Sequence, residues 1–322
     1  MEPTTKPTTY TAFEKDVISG LTEYPKHLSS KFIYDKKGDK LFQEIMAMPE
    51  YYLTECEYDI LKNQSAAIAE KFSLKNGFDL IELGAGDGKK TKLLLNHLSD
   101  IKANFTYLPV DISQNVLDEL GTALQNEFPK VDFELLQGSY FDVLNQLSSY
   151  NKRQKVILVL GSNIGNLMHK DAIDFLKKIQ NNMSPEDLLF MGFDQKKYPQ
   201  TVLDAYNDPN GITEAFNKNL LERINRELDG NFDLDAFFHW ETYDPETGTA
   251  KSFLVSKAAQ EVRINKLNLN INFKSWETIH TEISQKYDDE TVEWLASKAN
   301  LGIDKVFESE NGFYKNYAFK KL

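Results

Sequence analysis

Phe78-Asp79-Leu80-Ile81-Glu82-Leu83-Gly84-Ala85-Gly86-Asp87-Gly88 is the stretch on which the reading of the fold turns. A short apolar run ends in three closely spaced glycines, and glycine lets a backbone turn tightly and approach a ligand closely. Similar apolar runs follow at Phe105 to Val110, Phe133 to Leu136, Val156 to Leu160 and Leu188 to Met191, alternating with amphipathic segments. That spacing is a βαβ series, and continuous apolar runs bounded by Gly and Asp suit strands of a parallel sheet covered on both faces by helices. In such a sheet the first strand-to-helix turn lies beside the crevice at the carboxyl ends of the strands, where ligands bind.

Three cofactor classes compete for this turn. Counted from Gly84, a P-loop would have Lys90 and Thr91 in register, but Lys89 replaces the glycine it requires just before them. The dinucleotide fingerprint needs its third glycine at the same position and fails with it. A glycine turn preceded by an acid, Glu82, with another acid closing the second strand, Asp111, suits a nucleoside cofactor without phosphates, and S-adenosylmethionine is that cofactor. The Asp111 carboxylate is placed to accept from both ribose hydroxyls. The alternative is a plain tight turn with Asp111 as a helix cap.

Toward the N-terminus, Phe13 to Leu74 reads as helices, with Ile60, Leu61, Ile68 and Phe72 near helical period. Toward the C-terminus the alternation stops after Asp194. The turn Asp208-Pro209-Asn210-Gly211 leads into a helix with Phe216, Leu220, Ile224 and Leu228 on one face. Strands are expected at Ala236 to Tyr243, Ser252 to Ser256 and Ile279 to Tyr287. A helix then carries Val292, Leu295, Ala296 and Ala299 and is expected to stop at Gly302; two strands follow at Lys305 to Glu308 and Phe313 to Phe319. The resulting division is a flexible tail over 1–12, a cofactor-binding domain over 60–195 and 287–322, and a discontinuous substrate-binding domain over 13–59 and 196–286.

Composition bounds the rest. The 322 residues are 41% hydrophobic and 27% charged, as expected of a globular chain. Lys and Arg number 37 against 49 Asp and Glu, a net charge of −12 that offers nothing to a phosphate backbone, so no nucleic-acid partner is expected. No apolar run reaches the roughly 20 residues of a membrane span. The single cysteine, Cys56, fits a reducing, cytoplasmic setting. The five histidines show no zincin spacing, so no metal is expected. Oligomeric state cannot be read from the sequence.

Separate blocks now converge. Phe32 to Asp35, Met48 to Tyr52, Glu82 to Gly86, Leu160 to Asn166, Ala205 to Asp208, Asn225 to Leu228, Phe232 to Phe237 and Thr281 to Ser284 occur in an order that resembles the S-adenosylmethionine-dependent histidine Nα-methyltransferases of ergothioneine biosynthesis. The resemblance covers most of the chain. It implies an α/β class I methyltransferase fold, a Rossmann-like doubly wound sheet with a discontinuous second domain, holding the amino acid in an interdomain cleft. It also implies the reaction: trimethylation of the histidine α-amine to N,N,N-trimethylhistidine, hercynine.

By the same resemblance Tyr51, Asn166 and Tyr206 bind the backbone end of the amino acid, with the backbone of Gly161 near the amine, and these serve as the catalytic set. Glu282 and Ser284 sit at the imidazole; two apart on a strand, they share a face, where a carboxylate can accept a ring N–H while a hydroxyl serves the other nitrogen. Tyr34, Gly84, Gly86, Lys90, Asp111, Ser139 and Tyr140 are implied at the cofactor, Lys90 beside its methionine carboxylate. Taken singly, the tyrosines fit ordinary aromatic packing, Asn166 fits a helix cap, and Glu282 with Ser284 fits a solvated strand edge.

Two positions depart from the family pattern. Gly138-Ser139-Tyr140 stands where Gly-Asp-Phe is common, so a carboxylate contact to the adenine amino group is lost or replaced by a hydroxyl. Ser252 stands where an apolar residue lining the side-chain pocket is expected. The rival readings are an α-N-methyltransferase for another amino acid such as tryptophan, and a non-catalytic S-adenosylmethionine-binding regulator.

Overall fold

In the computed structural model, residues 10–72, 76–147 and 153–322 are described. Their contacts divide the chain into two units, each drawn from two stretches: Met1–Tyr52 with Tyr198–Ser284, and Leu53–Lys197 with Gln285–Leu322. Residues 53–59, expected in the substrate domain, stand with the sheet instead, because Leu53–Ala69 is one unbroken helix. The expected tail falls, for residues 1–9, outside the described residues. Its last two residues begin the first helix: Thr11 caps Ala12–Thr22, accepting from Glu14 N at 3.2 Å while its own N–H donates to Glu14 Oε2 at 2.7 Å. Reciprocal capping of this kind satisfies two otherwise orphaned donors.

The unit of Leu53–Lys197 and Gln285–Leu322 is built on one sheet. Its strand order is Leu301–Glu308, Tyr314–Lys321, Leu188–Asp194, Gln154–Val159, Phe78–Leu83, Phe105–Asp111 and Asp132–Phe133. Phe78–Leu83 pairs in parallel with both neighbours, Leu83 facing Val110 and Glu82 facing Leu158, while Tyr314–Lys321 is antiparallel to the strands on either side. This is the doubly wound sheet expected for a class I methyltransferase. Every residue of Phe78–Leu83 and of Leu188–Asp194 is buried, as sheets covered on both faces require. Ile81, Leu83, Ile157 and Val159 pack with Leu176 and Ile179 of helix His169–Asn181 and Val292 and Leu295 of helix Asp289–Lys298.

Strand order reverses between Phe78–Leu83 and Gln154–Val159, the first leading outward to one side and the second to the other. Ligands bind outside the carboxyl ends of strands at such a switch point. The turns leaving these two strands are Gly84 to Gly88 and Leu160 to Asn166, both among the blocks that carry the family resemblance.

Some details differ from expectation. The single strand expected at Phe133 to Leu136 is two short ones, Asp132–Phe133 and Leu136–Gln137, each pairing with Phe105–Asp111. Gly302 does not stop the last helix; it lies in Leu301–Glu308, and Asn300 makes the turn at φ 53°, a left-handed conformation asparagine tolerates. Leu74 lies outside the described residues. Phe72, beyond the end of its helix, is buried against Phe78 with ring centroids 5.3 Å apart.

The other unit packs helices Ala12–Thr22, Lys36–Met46, Pro199–Tyr206 and Ile212–Leu228 with a three-stranded sheet ordered Thr278–Gln285, Thr249–Ser256, Phe237–Asp244. A two-stranded ribbon, Gln260–Ile264 with Leu269–Phe273, was not expected; its segments are short and broken by the turn at Asn268. The shared core includes Phe13, Val17, Leu220, Ile224, Phe237 and Leu254. In the hairpin, Glu241 stands opposite Ser252 across an antiparallel pair.

Candidate functional site

The glycine turn is shaped by what its residues cannot carry. Gly84, Gly86 and Gly88 have φ of 78°, 54° and 65°, where side chains are strained. A Cβ at Gly84 would lie 2.4 Å from Tyr140 Oη, whereas one at Gly86 would meet nothing within 4 Å. The backbone is therefore packed against Tyr140 on one side and bare at Gly86. Asp111 holds the turn from the next strand, its Oδ2 accepting from Gly86 N at 3.3 Å and its Oδ1 from Ser113 N at 3.0 Å. Each oxygen keeps a further lone pair, the acceptors a ribose diol requires.

Tyr140 opens the helix Tyr140–Leu147, and burial, then the Asp111 and Glu82 carboxylates, push its phenol up to about 12, so it stays a donor. Ser139 donates to Asp142 Oδ2 at 2.6 Å, and its oxygen receives Asp142 N at 3.4 Å. Its hydroxyl is thus committed to starting that helix, and the Asp142 carboxylate is brought to it. Glu82, read from sequence as part of the cofactor turn, is buried inside the unit. It accepts from Thr91 Oγ1 at 2.6 Å and from the Tyr107 hydroxyl, and burial raises its carboxyl to about 7.

The second switch-point turn is tied to the first by a residue the sequence reading passed over. Glu57, fully buried, accepts from Lys90 Nζ at 2.5 Å, Gly161 N at 2.7 Å, Asn316 Nδ2 at 2.9 Å and Tyr314 Oη at 3.1 Å. Lys90, expected beside the cofactor's carboxylate, is thereby the partner of an internal acid. Gly161 itself is exposed with φ 80°, and a Cβ there would lie 3.5 Å from Lys90 Nζ. Asn166 is exposed and does not cap the following helix, whose N-cap is Met168. A signal for Glu57 did exist: it interrupts the buried stripe Leu53, Cys56, Ile60, Leu61.

In the other unit, Tyr51, Tyr206 and Glu282 line one pocket with Phe42, Phe216 and Ser252. Tyr51 meets Tyr206 edge-on at 6.1 Å and Phe42 at 6.4 Å. The Tyr206 hydroxyl and Ser284 Oγ are hydrogen-bonded at 2.8 Å. Tyr34, placed by resemblance at the cofactor, belongs to this unit and packs edge-on against Phe42 and Phe216, each at 5.5 Å. Although 38% of the residue is exposed, desolvation of its hydroxyl and then the charge of Glu282 hold its phenol well above the usual value.

These positions are fixed locally. Asp35 caps Lys36–Met46, accepting from Gly38 N at 2.8 Å, and Asn219 Nδ2 donates to Asp35 Oδ1 and to Ile33 O, each at 2.9 Å. Tyr34 is thus pinned between two anchored neighbours. On the far side, His239 Nε2 donates to Tyr206 O at 2.8 Å, and burial lowers its pKa, keeping the ring neutral.

Among the described residues no group of three or more His, Cys, Asp or Glu is gathered as metal ligands, and no helix is long and apolar enough to cross a membrane. Residues 13–321 match the family model described as histidine-specific methyltransferase, SAM-dependent. The chain is 35% identical over 292 residues to the histidine N-alpha-methyltransferase of Mycolicibacterium smegmatis, covering 91% of this chain and 89% of that one. It is 32% identical to ergothioneine biosynthesis protein 1 of Schizosaccharomyces pombe, covering 91% of this chain but 39% of that longer one. Among solved structures, the mitomycin 7-O-methyltransferase MmcR aligns with a TM-score of 0.50 at 12% identity, over 96% of this chain and 68% of that one, a likeness of fold alone.

Proposed function

Because the chain belongs to the histidine-specific, S-adenosylmethionine-dependent methyltransferases, we propose that it methylates the α-amine of L-histidine to N,N,N-trimethylhistidine, the hercynine step of ergothioneine biosynthesis. The observation that carries this reading is the pocket that two tyrosines and two phenylalanines line together with Glu282. A non-catalytic regulator, the rival from outside the enzymes, needs no such pocket.

S-Adenosylmethionine, the cofactor, supplies a methyl group on a sulfonium. We assign its nucleoside to the turn from Gly84 to Gly88, over the bare backbone at Gly86, with Asp111 on the ribose and Tyr140 packed against Gly84. Lys90 remains next to this turn, already neutralised by Glu57. Asp111→Ala is expected to weaken cofactor binding by about 1.5–3 kcal/mol, the usual worth of a hydrogen bond to a charged group. Calorimetry giving wild-type affinity would remove Asp111 from the ribose.

The chain's own residues must then present a neutral amine and exclude water. Tyr51, Tyr206 and Asn166, with the Gly161 backbone, are assigned to the amino acid's backbone end. They are neutral groups, so no cation crowds a nitrogen that gains three methyls. Aromatic faces such as Tyr51 stabilise the permanently cationic product by roughly 0.5–2 kcal/mol. Glu282 accepts an N–H of the ring, with Ser284 and Tyr34 close to it on the substrate side. The setting is assigned to the cytoplasm, where a lone buried thiol, Cys56, stays reduced.

The experiment is a pair of substitutions. Asn166→Ala and Tyr206→Phe should each lower kcat/KM for every amino-acid substrate by about 2- to 12-fold, the effect of one neutral hydrogen bond of 0.5–1.5 kcal/mol. Cofactor affinity should stay within about twofold of wild type. Wild-type catalytic efficiency in both variants would place the amino acid elsewhere.

A further inference from the structure

Ser252 lines the same pocket as Glu282, yet its hydroxyl proton does not face a ligand: it is donated to Glu241 Oε2 at 2.7 Å. Ser252 is 2% exposed and Glu241 6%. The two stand opposite each other across the hairpin, so the pairing is built into the register. A serine hydroxyl has one proton and two lone pairs. With the proton spent on an internal carboxylate, the oxygen is left with acceptor capacity only.

The same restriction recurs at the neighbouring wall. Thr213 donates its hydroxyl to Asp208 Oδ1 at 2.5 Å, and Asn217 Nδ2 donates to Thr213 O at 3.2 Å. The Thr281 hydroxyl shares its one proton between Asn217 Oδ1 at 2.5 Å and the Ser252 carbonyl at 3.1 Å, and the pairing of its strand with that of Ser252 places Glu282, the next residue, beside Ser252. The pocket therefore presents two acceptors from adjacent strands, one a carboxylate and the other a hydroxyl polarised by a second carboxylate behind it.

We propose that Ser252, backed by Glu241, is a specificity-determining acceptor for a second ring N–H of the substrate side chain, so that the histidine ring is held with both nitrogens protonated. The inference rests on histidine being the substrate. A neutral imidazole carries one N–H and the imidazolium two; two acceptors are matched only by the second. The titratable groups around the pocket agree in sign. Glu282, Tyr34, Tyr51 and Tyr206 stand at or beside its wall, and Asp39, Asp208, Glu241 and neutral His239 stand around them. The cation Lys218 is paired with Glu214 at 2.8 Å. Acids outnumber bases around the ring, and opposite charge favours the protonated form.

The test uses the full chain saturated with S-adenosylhomocysteine and histidine labelled with 15N in the ring. At pH 8, free histidine shows the averaged signals of a neutral imidazole; bound to the wild type, both nitrogens are expected to show protonated, pyrrole-type shifts. Ser252→Ala should return one nitrogen to the unprotonated type and weaken histidine binding about tenfold, while binding of 2-thienylalanine, a ring without N–H, changes less than twofold. Ser252→Thr, which keeps the hydroxyl, should retain the two-proton signature, and Glu241→Gln should weaken it. A neutral ring bound to the wild type, or equal losses for histidine and thienylalanine in Ser252→Ala, overturns the proposal. Failure of the wild type to bind histidine at all would instead overturn histidine as the substrate.

Discussion

Glu57→Ala should cost the protein about 3–5 kcal/mol of stability, as does removal of one partner from a buried charge pair. The residue is fully buried and receives Lys90, the Gly161 backbone, Tyr314 and Asn316. Its loss leaves a cation, an N–H, a hydroxyl and an amide without their acceptor, and burying such donors unpaired is what makes the substitution expensive. Denaturation of the unit of Leu53–Lys197 and Gln285–Leu322 should shift accordingly. The same variant should bind S-adenosylmethionine more weakly, because the glycine-turn helix at Lys90 and the turn at Gly161 are no longer joined. Glu57→Gln keeps the shape and one acceptor oxygen, so its defect should be smaller. A Glu57→Ala protein with unchanged melting behaviour and unchanged cofactor affinity would show that the tie between the two turns carries no energy.

Glu282→Ala should reduce histidine turnover by about 10- to 100-fold, the range set by a lost hydrogen bond to a charged acceptor. Binding energy from a remote side chain also orients the reacting amine, so the loss should appear in kcat as well as KM. Phenylalanine and tryptophan, offered in parallel, should lose less, since phenylalanine has no ring N–H and indole presents its own at a different position. Equal losses for all three would mean that Glu282 supports the unit rather than reading the ring.

Much of this architecture was legible because its strands announce themselves. Phe78–Leu83 and Leu188–Asp194 are mostly apolar, broken only by Asp79, Glu82 and Asp194, and a strand buried on both faces produces that pattern. The glycine turn was legible for a similar reason, since left-handed backbone at Gly84, Gly86 and Gly88 leaves few other residues possible. Glu57 was legible only as an acid interrupting an apolar stripe; its partners were not, because the strand that brings Tyr314 and Asn316 to it lies more than 250 residues along the chain. The ribbon Gln260–Ile264 with Leu269–Phe273 was missed because its two segments, although they alternate as strands do, are only five residues each and are separated by the polar turn at Asn268. Some blocks that suggested the family prove to be structural: Asn225 clamps Phe232 through two hydrogen bonds of 2.8 Å, and Asp208 holds the start of the helix Ile212–Leu228 by accepting from Ile212 N at 3.0 Å and Thr213 N at 2.8 Å.

Ser252 shows the opposite case. The sequence flagged it as a polar residue where an apolar one was expected, and the structure supplies what the sequence could not, the Glu241 carboxylate opposite it. Cross-strand partners are set by hairpin register, which a chain read in one dimension leaves open.

The central claim is tested most directly by offering the purified protein S-adenosylmethionine together with an equimolar mixture of the proteinogenic amino acids and identifying every methylated product by mass spectrometry. The account predicts that histidine alone is consumed to a major product, that it gains three methyl groups, and that fragmentation places all of them on the α-nitrogen. A methylated tryptophan as the main product, methyl groups on the imidazole ring, or no methylated amino acid at all would contradict it.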